Sequence, residues 1–354
     1  MSPRERVLAT LNRQTTGRAP VDMWCTGEVL DSLRAHTGED DELAVYQKLG
    51  LDKIVWVFPG YGGHKYFDPN EGGEVNLWGV PTRLVKAGAA TYHEFGKPPL
   101  GECESPDEIA SYAGWPDPEL FEYAAAKELA QRARGFGFAT IGPWISHFEI
   151  YCTMRGLENA LMDVVAEPEI LQAGLDRIDR VQTAMLRRLL DELGDLLDIV
   201  FISDDLGTQE SLLMSVEAWQ AHIQPRMKRW CDLIHEHGKK VLFHTDGAAR
   251  PFIPGLIASG IDVLNPIQHV CAGMDRASLK AEFGKAVIFH GGVENQKTLP
   301  FGTPEDVRRE TRECLDTLGA GGEGYICCSC HNIQAGTPVA NILAYIDEAR
   351  RESL

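Results

Sequence analysis

The sequence predicts an α/β protein whose 354 residues fold as one (β/α)8 TIM barrel, a single domain over residues 1–354 with an insertion after the second strand. Three observations predict it. From residue 138 onward, short β-rich apolar runs ending in polar residues alternate with amphipathic stretches at helical spacing. The runs are almost continuously apolar, as strands buried on both faces must be. No glycine-rich dinucleotide fingerprint follows the first strand candidate, which removes the main signal for an open doubly wound sheet.

The chain begins with MSPRERVLATLNRQ, a charged amphipathic helix. Pro20–Trp24 and Ile54–Phe58 are the first two strand candidates. Gly60–Leu100 is rich in glycine and aromatic residues, and the alternation near Val75–Val85 predicts a hairpin. This segment is the insertion, either a cover for the pocket or a surface hairpin without a role. Ser105-Pro106-Asp107-Glu108 reads as a capping box. Phe138–Trp144, Ile199–Asp205, Val241–Gly247, Val263–Gln268, Ala286–Val293 and Gly324–Cys330 complete eight strands. Pro168–Leu193 and Ser215–His237 carry apolar residues every three or four positions, as core-facing helices do. Thr303-Pro304-Glu305-Asp306 supplies an N-cap, a proline at the first helical position and acids in the first turn.

Composition narrows the function classes. Fifty-two acidic against 34 basic residues give a net charge of −18, which repels phosphate backbones and argues against a nucleic-acid partner. No window holds the roughly 18 apolar residues of a membrane span, and the N-terminus lacks the apolar core of a secretory signal, so the expected location is cytoplasmic. Nine cysteines, an odd number scattered through a long chain, do not read as a disulfide framework.

In a barrel, polar residues at strand C-termini converge on one mouth, where catalysis is found. Here they are Asp204, Asp205, His244, Asp246, Gln268, His290, Glu294, Cys330 and His331. Side chains alternate along a strand, so Leu242 is expected inside the barrel with His244 and Asp246 at its mouth. An imidazole beside a carboxylate can hold Zn2+ or form a hydrogen-bonded acid–base pair. In Cys327-Cys328-Ser329-Cys330-His331, alternation keeps all four thiol and imidazole groups from meeting one ion unless the strand ends earlier, and one terminal residue, Cys330 or His331, is expected at the mouth. Asp204-Asp205 suits a general base, a substrate hydrogen bond or the N-terminal charge of a helix. His147, Glu149 and Tyr151, just after a strand, are expected either as substrate contacts or as parts of a capped loop.

Together these motifs resemble the uroporphyrinogen decarboxylase superfamily, which contains the tetrapyrrole decarboxylase and zinc methyltransferases working with corrinoid proteins or thiol acceptors. The resemblance runs from Arg4–Leu11 and Arg18-Ala19-Pro20-Val21-Asp22 through Ile141-Gly142-Pro143, HTDGAARPFIP from His244, DVLNPIQ from Asp262 and FHGGVENQ from Phe289. It ends with His331–Gln334 before Thr337-Pro338. It implies a (β/α)8 barrel and, by family habit, a homodimer. The true decarboxylases carry arginines after the first strand, where this chain reads Met23-Trp24-Cys25-Thr26-Gly27-Glu28-Val29, and an aspartate after the second, where it reads Phe58-Pro59-Gly60. The resemblance is therefore closer to the methyltransferase branch. That branch places a His-x-Cys pair on the fifth strand and a second cysteine after the eighth as zinc ligands. The matching positions here are His244, Asp246 and His331, with Cys330 beside the last and Gln268 near a fourth-ligand place. Replacing thiolates by nitrogen and oxygen leaves zinc more Lewis acidic, suited to an ether or phenolic oxygen. The expected reaction moves a methyl group from a small-molecule donor, a methoxylated aromatic, to the cobalt of a corrinoid protein. Asp204, Asp205, Glu294 or His147 would position the donor or carry a proton. Trp24, Tyr151, Tyr61, Tyr66, Phe67 and Trp78 would wall the pocket, with Gln268 and His290 among the substrate contacts. The alternatives are a metal-free decarboxylase or other lyase and a non-catalytic binding subunit.

Overall fold

A computed structural model describes residues 1–63, 74–88 and 90–351. Seven strands form one parallel sheet in chain order: Ile54–Trp56, Ala139–Ile145, Ile199–Ser203, Lys240–His244, Val263–Asn265, Ile288–His290 and Tyr325–Ile326. The first expected strand is not a ladder. Val21 and Cys25 make single parallel bridges to Cys327 and Ile333. On the other side the Val21 carbonyl accepts the Asp52 amide at 2.8 Å. Residues 20–25 thus lie between the last and first strands of the curled sheet. Their pairing stays short because Pro20 has no amide to give and the Ile54 amide donates to the Asp22 side chain, at 3.1 Å. The expected strand 263–268 likewise ends at Asn265, before Pro266.

Alternation along each strand divides the core. Ile54, Ile141, Ile199, Phe201, Leu242, Val263, Ile288, Ile326 and Cys328 fill the interior, with Val7 and Leu11 of helix Pro3–Leu11. Their neighbours Val55, Val200, Ile202, Val241, Phe243, Leu264, Phe289 and Tyr325 pack against the helices outside. Both faces are buried, which is why the strands read as unbroken apolar runs. Leu171, Leu175, Ile178, Met185, Leu186 and Leu189 form the buried stripe of the 26-residue helix Pro168–Leu193. Ion pairs of Arg4 with Asp198 (2.8 Å) and of Arg18 with Asp52 (2.6 Å) tie the N-terminal segment to the barrel.

One glycine is required by close approach. Gly142 sits inside the Ala139–Ile145 strand with φ of +149°, and a Cβ there would lie 2.0 Å from the carbonyl oxygen of Val57, the residue after the adjacent strand. Gly142→Ala is expected to cost on the order of 3 kcal/mol from overpacking and backbone strain, read as a lowered urea midpoint. A midpoint within error of wild type would show that the two strands can part.

The segment after the Ile54–Trp56 strand is richer than the expected hairpin. Glu74–Val75, Pro81–Ala87 and Ala90–Phe95 form a three-stranded antiparallel sheet, and Gly60–Tyr61 pairs with Phe121–Glu122. Trp78 is buried against Trp115, and Tyr61 packs on Phe121. Tyr66 and Phe67 lie outside the described residues. Among the described residues no helix is long and apolar enough to cross a membrane.

Candidate active site

Strand register sets Ser203, His244 and Asn265 side by side at the C-terminal end of the sheet. There the interior changes from apolar to polar. His244 Nδ1 lies 2.6 Å from Asn265 Oδ1, and Asn265 Nδ2 lies 2.8 Å from His290 Nδ1. His290 Nε2 then reaches Asp22 Oδ2 at 3.2 Å. An amide oxygen only accepts and an amide nitrogen only donates, so the chain of bonds has one consistent direction. His244 donates from Nδ1, and His290 accepts at Nδ1 and donates from Nε2 to the carboxylate. The lone pair of His244 is therefore on Nε2, the nitrogen facing the mouth.

Asp246 and His331 meet that nitrogen. His244, Asp246 and His331 each offer one ligand atom, and the three atoms lie within 4.8 Å of one another. Asp246 is two residues past His244, its amide donating to Asp205 Oδ1 at 2.8 Å. The next amide, of Gly247, donates to Gln268 Oε1 at 2.6 Å and fixes the loop. Asp246 Oδ1 is buried without a hydrogen-bond partner, 3.8 Å from His244 Nε2. Burial pushes the Asp246 carboxyl above its usual range, with Asp205 adding to the effect against the pull of His244 and His331. Burial also lowers His331, against Asp246. An orphaned carboxylate oxygen between two imidazoles fits a divalent cation with an open position.

The cysteine run contributes no thiolate. Cys328 lies in the barrel interior and Cys327 outside it, while Cys330 Sγ points to the Ile267 carbonyl oxygen at 3.3 Å. Burial raises all three thiols, Cys327 to about 12.

His244 and His331 line a cavity of about 490 Å³. Trp24, Trp56, Phe58, Trp144 and Phe201 give it aromatic walls, with Trp56 stacked on Phe58 at 5.4 Å and edge-on to Phe201 at 4.6 Å. The polar side is Glu149, Ser203, Asp205 and Asn332 with the two histidines. Ser203 Oγ donates to Glu149 Oε2 at 2.5 Å. Burial, then Asp205 and Asp204, push the Glu149 carboxyl up to about 8, so it holds its proton at neutral pH.

A family model described as uroporphyrinogen decarboxylase (URO-D) matches residues 91–352. The chain belongs to the uroporphyrinogen decarboxylase family. It is 26% identical over 219 residues to the methylated-thiol–coenzyme M methyltransferase of Methanosarcina mazei, a match covering 61% of this chain and 54% of that protein. The chain thus spans about half the length of that relative. The solved structure of a methyltransferase from Methanosarcina mazei shares the fold, with a TM-score of 0.72 at 17% identity over 99% of this chain and 98% of that one.

This member of the uroporphyrinogen decarboxylase family brings Trp24, Asp205, His244, Asp246 and His331 together at the mouth and sends other expected site residues elsewhere. Asp204 is buried and accepts from Ser146 Oγ and from the amides of Phe148 and Glu149, at 2.6 to 2.9 Å, holding the start of helix Phe148–Arg155. His147 is stacked on Trp230 and bonded to Asp179 at 3.0 Å. Tyr151 is buried against Asp163 at 2.5 Å. Glu294 accepts three amides, of Gln296, Lys297 and Thr298, and so fixes its own turn. Gln268 accepts the Gly247 amide, and His290 accepts from Asn265 behind His244. The sequence reading missed Asn265 and Asp22 as supports. Asp22 carried a signal, since it alternates with Trp24 along the first strand candidate; Asn265 carried none stronger than its place two residues after Val263.

Proposed function

We propose that this protein is a metal-dependent methyltransferase that moves a methyl group from an O-methyl donor, a methoxylated aromatic, to the cobalt of a corrinoid protein. The observation that carries the reading is the unpartnered Asp246 oxygen beside the His244 Nε2 lone pair and His331, at the mouth of an aromatic cavity. His244, Asp246 and His331 would hold zinc, and the bound ion would supply Lewis acidity toward the donor's oxygen. Asn265 keeps His244 in the tautomer that can ligate. Asp205, 40% exposed at the side chain, would orient the donor from the same wall. The tryptophans and phenylalanines would clasp an aromatic ring. None of the described residues lining this cavity is arginine or lysine, which favours an uncharged ring over the polycarboxylate of the tetrapyrrole decarboxylases. A homodimer in the cytoplasm is part of the same reading.

Elemental analysis tests it. About one zinc per chain is expected, lost on dialysis against a strong chelator and absent from His244→Ala and His331→Ala variants, with methyl transfer from methoxylated aromatics to cob(I)alamin lost in parallel. Full zinc occupancy in both variants would sink the ligand set. Methyl transfer that persists in chelator would remove the metal from the reading, and a decarboxylation that proceeds in chelator without methyl transfer would favour a metal-free lyase using the Glu149 and Asp205 carboxyls.

A further inference from the structure

Resting on that methyl-transfer reading, we infer that Glu149 is the proton donor to the leaving oxygen, a further catalytic residue. Its position is the first argument. Helix Phe148–Arg155 begins one residue before it, and the Asp204 carboxylate accepts the Glu149 amide at 2.9 Å, so the backbone is pinned where the side chain leaves it. The side chain then meets Ser203 Oγ and the cavity that holds His244 and His331.

A second cavity of about 410 Å³ adjoins the first, and Glu149 and Asp205 line both. Its other walls, among them Phe95, Pro98, Phe148 and Leu213, are apolar. A carboxyl at this junction is half-buried and faces Asp205 and Asp204, and its partial burial and their charges both oppose its ionisation. It therefore rests as the neutral acid, the form that can give a proton.

The balance is direct. The electron pair of the acceptor, cob(I)alamin or its protein-bound equivalent, forms the new bond to the methyl carbon. The carbon–oxygen bond breaks with its pair on oxygen, that oxygen takes the Glu149 proton, and the carboxylate left behind regains a proton from solvent. A donor whose leaving atom is strongly basic needs this proton, and one with a stabilised leaving group does not. The device therefore selects for ethers of ordinary phenols and alcohols.

The test is Glu149→Gln on the zinc-loaded enzyme, with anisole-type donors whose phenols span a wide acidity range, up to nitrophenyl methyl ethers. A loss in kcat of about 10²- to 10⁴-fold is expected for donors with ordinary phenols. The loss should shrink to less than about 10-fold for the nitrophenyl ether, with zinc still near one per chain. A loss equal across all donors, or no loss, would overturn the assignment while leaving the methyltransferase reading in place. A zinc-loaded wild type inactive on every methyl ether would overturn both.

Discussion

Asp22→Ala is expected to lose about 3–5 kcal/mol of stability, a third or more of what a typical domain has. Asp22 is fully buried and accepts from Trp24 Nε1 (2.9 Å), the Ile54 amide (3.1 Å), Lys53 Nζ (3.1 Å) and His290 Nε2 (3.2 Å). Removing the carboxylate leaves the Lys53 ammonium, 4% exposed, with the Met23 carbonyl oxygen as its one remaining hydrogen-bond partner among the described residues. That is an uncompensated buried charge, which costs far more than a lost contact. Burial pushes the Asp22 carboxyl up, yet Lys53 and His290 outweigh it and hold the group well below the usual carboxylate range. A depressed carboxylate stabilises fully above its unfolded value near pH 4 and loses that contribution as pH falls toward the folded value. Wild type should therefore weaken in acid below about pH 4, and Asp22→Ala should show less of that dependence. Urea titrations at pH 7 and pH 3 measure both effects. A change under about 1 kcal/mol at pH 7 would mean that water reaches Lys53 in the variant.

How far the sequence revealed this site follows from what periodicity encodes. Alternation placed Leu242 inside and His244 above it, because a strand's side chains have only two directions and the interior is apolar. It could not choose between Asp204 and Asp205, since the strand ends at Ser203 and the turn after it decides which carboxylate faces the cavity. That turn gives Asp204 to the amides of helix Phe148–Arg155, 56 residues away in sequence, a contact no local pattern records. Glu294 looked like a mouth residue for the same reason and instead accepts the amides that follow it. Alternation does not choose between Cys330 and His331 because the last strand is only two residues long, so the chain's path beyond Ile326 sets both side chains. Alternation near Val75–Val85 predicts a hairpin, but the third strand of this small sheet comes from pairing Ala90–Phe95 with Pro81–Ala87, a register that alternation did not contain.

Asn265→Leu is expected to weaken zinc binding by about 10- to 100-fold while leaving all three proposed ligands in the chain. Asn265 is fully buried and joins His244 to His290, accepting from one and donating to the other. Leucine of similar size offers neither function. His244 then loses the acceptor that holds its proton on Nδ1, and the tautomer with the proton on Nε2, which cannot ligate through that atom, becomes accessible. Asn265→Asp separates orientation from packing. Its carboxylate still accepts from His244 Nδ1 and raises the basicity of the ring, whereas His290 must turn over its own tautomer to donate to it. Zinc affinity in the Asp variant should therefore stay within about 10-fold of wild type, with the cost appearing as lower stability. Competition against a chelator of known affinity, alongside thermal melts, distinguishes the two effects. Equal zinc affinity in the Leu variant and wild type would show that the His244 ring is held by packing against Trp24 and Phe201, 6.3 and 5.6 Å away between ring centres, and that the amide relay does not tune the site.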